Sequence, residues 1–336
     1  MAIFETFEKL NRVVSVSGSE KAISEIIRPM IEGFCDEIKS DALGNLIAHK
    51  KSKYPDAKKL MIAAHMDEIG FIVTQITEEG FLRVSAVGGV NITAAAYSEV
   101  TFESGLKGVL VPEGKVAPGD ISAANMYVDI GADFHDDAFA YVSPGDVCTL
   151  SPRVAMLRHN TISASSLGGK IACAVLIETI RELGETSYPN DLYFVFTSGN
   201  EVGYRGARAA ATGILPDYAI SVDITGSGDT PECVPLTAKL GGGAAIKVMD
   251  KSVICHREMV NLLVKTAEDG EIKHQLEIFP QGGSDTSVMQ TAGAGAISGA
   301  LSIPVRYAHT GVEVCSLDDA EAVGKLLYRV VTSELC

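Results

Sequence analysis

Lys59-Leu-Met-Ile-Ala-Ala-His65-Met-Asp67-Glu68-Ile-Gly-Phe-Ile-Val-Thr74 is the stretch on which the fold turns. Its first half is a continuous apolar run closed by a histidine, the pattern of a strand buried on both faces of a parallel sheet. Upstream, residues 1–35 read as two amphipathic helices. The second opens at Ser17-Gly-Ser19-Glu20-Lys21, with Ser19 as its expected cap, and carries Ile23, Ile26, Ile27 and Met30 at helical spacing. Residues 44–49 give a further strand. Downstream, from about residue 69 to 157, short β-prone pieces such as Gly70-Phe-Ile-Val-Thr and Val100-Thr-Phe alternate with Gly and Pro signals, with one short helix expected near 123–129. The α/β rhythm then returns: helices over 170–184, 204–212, 258–269 and 317–334, strands over 191–197 and 218–223, and a strand-like run at 293–299. The expected architecture is an α/β catalytic-type domain with a mixed sheet (1–68 plus 158–336), interrupted by a small β-rich, barrel-like insert (69–157).

The chain has 336 residues, 28 Lys+Arg against 43 Asp+Glu and a formal charge of −15. That balance argues against a nucleic-acid partner, which would need a basic face, and against an anionic membrane surface. Lys50-Lys51-Ser52-Lys53 is read as a solvated loop. No run approaches the roughly 18 apolar residues of a membrane span. The seven cysteines, Cys35, Cys148, Cys173, Cys233, Cys255, Cys315 and Cys336, are odd in number and form no Cys-x-x-Cys pair. They fit buried or incidental thiols in a reducing compartment, and with no apolar leader at the N-terminus the expected location is cytoplasmic.

In open α/β sheets functional groups gather at the carboxyl ends of the strands. Four segments here end in metal-ligand residue types: His65-Met-Asp67-Glu68, Ser198-Gly-Asn200-Glu201, Asp223, and Ser302-Ile-Pro-Val-Arg-Tyr307-Ala-His309. Two imidazoles and a set of carboxylates on one edge suit zinc, cobalt or manganese. His135-Asp136-Asp137 falls in the insert and reads as a solvated loop, and His49, His159, His256 and His274 as structural.

His65-Met-Asp-Glu-Ile-Gly-Phe-Ile-Val, Glu201-Val-Gly-Tyr-Arg-Gly-Ala207, Val222-Asp-Ile-Thr225, Gly282-Gly-Ser-Asp-Thr286 and Ile303-Pro-Val-Arg-Tyr-Ala-His309 together resemble the glutamyl/deblocking aminopeptidases. These are the tetrahedral, dodecamer-forming metallopeptidases, some of them labelled endoglucanases. The likeness runs over nearly the whole chain, including Val128-Asp-Ile-Gly-Ala132 and Pro144-Gly-Asp-Val147 in the insert. It implies a metallo-exopeptidase-like domain, a dimerisation role for the insert, dimers building a tetrahedral dodecamer, and removal of N-terminal residues from short peptides. It also implies two divalent metals per chain, zinc or cobalt. His65 and Asp223 would hold one, Glu201 and His309 the other, and Asp67 would orient His65.

Two positions depart from the family pattern. The bridging aspartate's place, in Ser165-Ser-Leu167-Gly168-Gly169-Lys170, is taken by Gly168, and the usual Glu-Glu pair is Asn200-Glu201, so the general-base position holds an amide. Two divalent cations about 3.7 Å apart repel by roughly 18 kcal/mol at an effective dielectric of about 20, and a shared carboxylate is the main device that offsets this. Loss of a positioned base costs about 10²–10⁴ in rate. Glu68 and Asp285 are the carboxylates that could rescue the centre, although a structural hydrogen-bond acceptor is the simpler reading of Asp285. An anion could instead meet the backbone N–H groups at Gly168-Gly169-Lys170, although a flexible helix start is the simpler reading. The expectation is a weakly active or inactive subunit, homo-oligomeric or mixed with an active paralogue. The alternatives are an active aminopeptidase with a rearranged mono- or dinuclear centre, and a non-catalytic regulator that binds a peptide or metabolite.

Overall fold

A computed structural model describes residues 2–184 and 188–335. Eleven strands make one mixed sheet. At its centre Lys59–His65 runs parallel to Asp191–Thr197 on one side and to Tyr218–Gly226 on the other, with Ile297–Arg306 parallel beyond. Leu46–Lys50 and Glu37–Ser40 extend one edge antiparallel, and Glu313–Ser316, Thr161–Ala164 and Val154–Met156 extend the other. Ala244–Asp250 and His274–Phe279 branch from Ile297–Arg306.

The apolar run in the central strand is buried on both faces because successive side chains alternate across a pleat. Ile62 and Ala64 face a core shared with the helices Ala2–Asn11, Lys21–Ile31, Gly168–Leu183, Arg257–Asp269 and Leu317–Thr332. Met61 and Ala63 face Arg205–Ile214 and Thr286–Met289. Gly168–Leu183 packs against Ala2–Asn11, Leu317–Thr332 and the sheet, so residues 169–177 are all buried rather than one stripe of them. Each fully buried Leu or Ile there contributes about 1.5–3 kcal/mol. Gly184, at φ +47°, ends this helix in a conformation that L side chains avoid.

Between the central strand and this helix the chain builds a closed six-stranded barrel from Gly70–Ile76, Leu82–Val87, Ser98–Phe102, Lys107–Pro112, Met126–Asp129 and Val147–Leu150. Its interior is a separate core that includes Phe71, Phe102, Leu110, Met126 and Val128. Val154–Met156, just short of the expected seam at residue 157, pairs with Thr161–Ala164 in the large sheet.

Several local expectations are corrected. The short helix expected near 123–129 is the three-residue 3₁₀ turn Ala123–Asn125, and the rest of that stretch is the barrel strand Met126–Asp129. Met126 and Val128 face inward on a period of two, and a helix would have scattered them. Ser19 is not a cap. Glu20 precedes the helix Lys21–Ile31 without a side-chain capping bond, and its carboxylate accepts from Gly18 N–H at 3.0 Å and Gly199 N–H at 2.9 Å. Lys50 is not solvated: it ends a strand, is buried, and donates to the Gly184 carbonyl at 3.0 Å. His135-Asp136-Asp137 opens the short surface helix His135–Phe139 rather than a loop. The strand expected at 293–299 spans Ile297–Arg306. Of the cysteines, Cys148, Cys173, Cys255 and Cys315 are buried and Cys35 and Cys233 partly so, all as free thiols, while Cys336 lies outside the described residues. Among the described residues no helix is long and apolar enough to cross a membrane.

Candidate functional site

Strand register places the first half of the site. His65 is level with Thr197, and Ser221 is level with Ala63, so Asp223, two residues on, comes level with His65 at the carboxyl edge. His65 Nε2 stands 3.3 Å from Asp223 Oδ1. Its Nδ1 is 2.9 Å from the Asp67 carbonyl and 3.5 Å from the Asp67 carboxylate. A ring held this way by a carbonyl donates from Nδ1 and turns Nε2 inward.

Asp67 is fully buried and fully used. Its carboxylate accepts from Asn200 N–H and Glu201 N–H, both at 3.0 Å, and from the Ser17 hydroxyl at 2.6 Å. Burial opposes its charge, but His65, Ser17 and the Glu201 amide outweigh that and hold its pKa below the ordinary carboxylate value. Burial likewise opposes a charged His65, and Asp223 and Asp67 outweigh it, so the ring's pKa lies well above the usual histidine value.

Asn200 and Glu201 follow the strand Asp191–Thr197, and Asp67 fixes their backbone. The Asn200 amide donates through Nδ2 to Asp285 Oδ1 at 2.8 Å, and Thr197 donates to Asp285 Oδ2 at 2.7 Å. Asp285 is buried and pushed up to about 6, by desolvation above all. Glu201 is also raised by burial, with His65 and His309 opposing. Its side chain lies against Gly88, where an added Cβ would stand 2.7 Å from Oε2. His309, at φ +64°, is on the other side of the same glycine pair. Its Nδ1 donates to the Gly89 carbonyl at 2.9 Å, and its own carbonyl accepts from Asn91 N–H at 3.1 Å. The barrel's Gly88-Gly89 turn thus reaches into the site and orients His309 as Asp67 orients His65.

The two candidate rescuers already have partners, although Glu68 Oε2 accepts no hydrogen bond among the described residues. Glu68 Oε1 accepts from Lys170 Nζ at 2.8 Å and Ser15 N–H at 2.7 Å, and Lys170, also buried, donates to the Val13 carbonyl at 2.7 Å. Asp285 is committed to Thr197 and Asn200. The N-terminus of Gly168–Leu183 is filled from within: Glu313 accepts from Leu167 N–H and His309 N–H, both at 2.6 Å, which answers the suggestion of an external anion there. Glu313 is buried and raised to about 7, chiefly by desolvation. Glu313, the Gly88-Gly89 turn and the pairing of Lys170 with Glu68 escaped the sequence reading. Only Glu313 carried a local signal, a lone acid between Val312 and Val314.

The two adjacent glycines differ. A Cβ on Gly169 would run into the His65 carbonyl and ring, so glycine is required. A Cβ on Gly168 would meet only His65 Cε1, at 3.8 Å, so nothing around it excludes a side chain. The residues do not fit a two-metal centre by themselves: among those described, no three His, Cys, Asp or Glu side chains are placed to hold an ion. The His65–Asp223 pair supplies two donors, below the three of a catalytic zinc site.

The model of the M42 glutamyl aminopeptidases matches residues 44–326. A protein of Acetivibrio thermocellus, classed provisionally as an aminopeptidase, is 46% identical over 331 residues, covering 98% of both chains. The lysyl aminopeptidase of Pyrococcus furiosus is 32% identical, covering 97% of this chain and 96% of its own. Among solved structures, the Pyrococcus horikoshii TET1 peptidase, which can assemble into a tetrahedron or a large octahedral shell, superposes with a TM-score of 0.90. It is 31% identical and covers 98% of this chain and 99% of its own. Matched along nearly its whole length in sequence and in fold, the chain belongs to the M42 glutamyl aminopeptidase family.

Proposed function

We propose that this chain is an M42 subunit that has kept the family's architecture and lost its hydrolytic centre. The family is one of metal-dependent aminopeptidases. In this reading His65, Asp223, Glu201 and His309 stand at its metal-ligand positions, Gly168 at the bridging position and Asn200 at that of the base. The observation that carries it is the pair of substitutions in their surroundings. Gly168 offers no side chain where one could stand, and Asn200 has its amide turned onto Asp285. An amide cannot take a proton from an attacking water near neutral pH, and losing that base alone lowers the rate by about 10²–10⁴. Its role is then that of a weakly active or inactive member of a cytoplasmic assembly. That assembly is built of copies of itself, as in the TET1 shells, or mixed with an active paralogue that binds short peptides and holds zinc or cobalt.

One observation favours a second reading, an active enzyme with a rearranged one-metal centre: both histidines are still held at Nδ1 by carbonyls, and His65 Nε2 is turned toward Asp223. Turnover of a panel of aminoacyl-arylamides, with zinc, cobalt or manganese added, separates the two. The proposal expects at most weak turnover from the wild-type chain and a rise of about 10²-fold or more in the Gly168→Asp, Asn200→Glu double variant. Wild-type turnover equal to that of the double variant with any of these metals would refute it.

A further inference from the structure

We infer that a cavity where the barrel meets the rest of the chain binds a small aromatic carboxylate. The inference goes beyond the reading above and holds whether or not the centre around His65 hydrolyses anything.

The chain leaves the barrel strand Val147–Leu150 and reaches the large sheet at Val154 through Ser151-Pro152-Arg153. Beside that crossing lies a cavity of about 610 Å³. Small-molecule sites span about 300–1,000 Å³ and favour such seams between folded units. The barrel contributes Tyr97, Glu99 and Lys107 to the lining, the crossing contributes Ser151 and Arg153, and the loop 307–312 contributes Tyr307. His309 sits on that loop but lines the other site, its ring held to the Gly89 carbonyl.

Three observations point to the ligand. The first is charge. The lining sets Lys107 and Arg153 against Glu99, an excess of one positive charge on a chain of formal charge −15. Among the described residues the Arg153 guanidinium meets no acceptor, and Lys107 Nζ donates only to the neutral Thr101 hydroxyl, at 2.8 Å.

The second is a spare donor. Thr101 Oγ1 is 2.8 Å from Ser151 Oγ. Each hydroxyl carries one proton, and only one of the two can lie between them, so the other has no acceptor among the described residues.

The third is a pair of tyrosines. Tyr97 and Tyr307 are 72% and 53% exposed, and stand at φ +62° and +58°. Bulky L residues avoid that conformation, and it persists only where the surroundings impose it. Here Tyr97 N–H donates to the Leu110 carbonyl at 2.8 Å, and the Tyr307 carbonyl accepts from the Thr310 hydroxyl at 2.7 Å. Neither phenol has a hydrogen-bond partner among the described residues.

A carboxylate matches the guanidinium fork and accepts the spare hydroxyl proton, and its single charge equals the local excess. A flat apolar ring answers the two tyrosines. A phosphate dianion would exceed that charge and leave the rings uncovered.

The chain has no tryptophan, so an indole can be followed by its own emission. The probe is indole-3-acetate, read by fluorescence anisotropy. Indole-3-acetamide has the same ring without the charge, and sodium acetate, added as a competitor, has the charge without the ring. Indole-3-acetate is expected to bind with a Kd of about 1 mM or below, and the acetamide about tenfold more weakly or worse. Acetate should displace the probe only at concentrations about tenfold higher than indole-3-acetate itself requires. Arg153→Gln and Lys107→Gln, both at exposed side chains, should each weaken binding by about tenfold. Tyr97→Asn, which removes the ring but tolerates a positive φ, should weaken it similarly. Arg158→Gln, at an exposed arginine outside the cavity, should change nothing, and circular dichroism melting checks that every variant is folded. No rise in anisotropy at about 10 mM protein-bound or free probe, or equal affinity for the amide, would overturn the inference. So would wild-type affinity in Arg153→Gln and Lys107→Gln, or a loss in Arg158→Gln as large as theirs.

Discussion

Alanine at two adjacent glycines gives opposite results if the surroundings of position 168 are as described. Both residues lie in the first turn of Gly168–Leu183, and neither has a positive φ. In a helix, replacing Gly by Ala gains about 0.5–1 kcal/mol when the site is open, less at the first position than in the interior. Gly168→Ala should therefore be neutral or stabilising by up to about 1 kcal/mol, since its methyl has ordinary clearance from His65 Cε1 at 3.8 Å. Gly169→Ala meets backbone. Its methyl would overlap the His65 carbonyl and stand 2.6 Å from Nδ1 and 2.7 Å from Cγ, so the helix or the end of the central strand must move. Overpacking of that kind costs about 1–3 kcal/mol, and a rigid carbonyl as the obstacle puts it at the upper end. The expected separation between the variants is therefore about 3 kcal/mol. Urea unfolding followed by circular dichroism measures it directly. Similar midpoints for the two variants, or a Gly168→Ala variant less stable than the wild type by more than 1 kcal/mol, would refute the claim that position 168 is open.

Other consequences can be measured on the same protein. Lys170→Met removes the cation paired with buried Glu68, and breaking one side of such a pair costs about 3–5 kcal/mol, so Lys170→Met with Glu68→Gln should recover most of that loss in urea unfolding. Equal instability of the single and double variants would contradict the pairing. Glu313, raised to about 7 when folded, is easier to protonate in the native chain than in the unfolded one. Its contribution is therefore fully present below the unfolded value of about 4.5 and is lost as pH rises through 7, by roughly 3 kcal/mol. Glu313→Gln should flatten that part of the stability–pH curve, and an unchanged slope would contradict the assignment. Arg306 forks onto Asp229 at 2.9 and 2.8 Å, so Arg306→Lys, which keeps the charge but not the fork, should cost about 1 kcal/mol in the same assay, and no loss would count against it. Alkylation of the native chain should label Cys35 and Cys233 before Cys148, Cys173, Cys255 and Cys315, read by peptide mass spectrometry, and the reverse order would contradict the burial described.

What the sequence disclosed and what it hid divide along the range of the interactions. The run from Lys59 to His65 announced a buried parallel strand because its apolar residues are contiguous, and His65, Asp223 and Glu201 could be read as site residues because each follows such a run. Gly168 and Asn200 were visible as departures only against a family pattern. Nothing local marks Lys170 as the partner of Glu68, or Gly89 as the seat of His309 across 220 residues. Ala244–Asp250 escaped because Lys247 breaks its apolar pattern, and the ion pair with Glu277 that lets Lys247 be buried comes thirty residues later. The adjacent glycines look alike in sequence, and only the position of the His65 carbonyl tells the required one from the open one.

Metal content tests the central claim most directly. The wild-type chain, exposed to zinc in a carboxylate-free buffer, desalted and submitted to elemental analysis, is expected to retain well under one ion per chain, and the Gly168→Asp, Asn200→Glu variant clearly more. Two tightly held ions per wild-type chain would contradict the account.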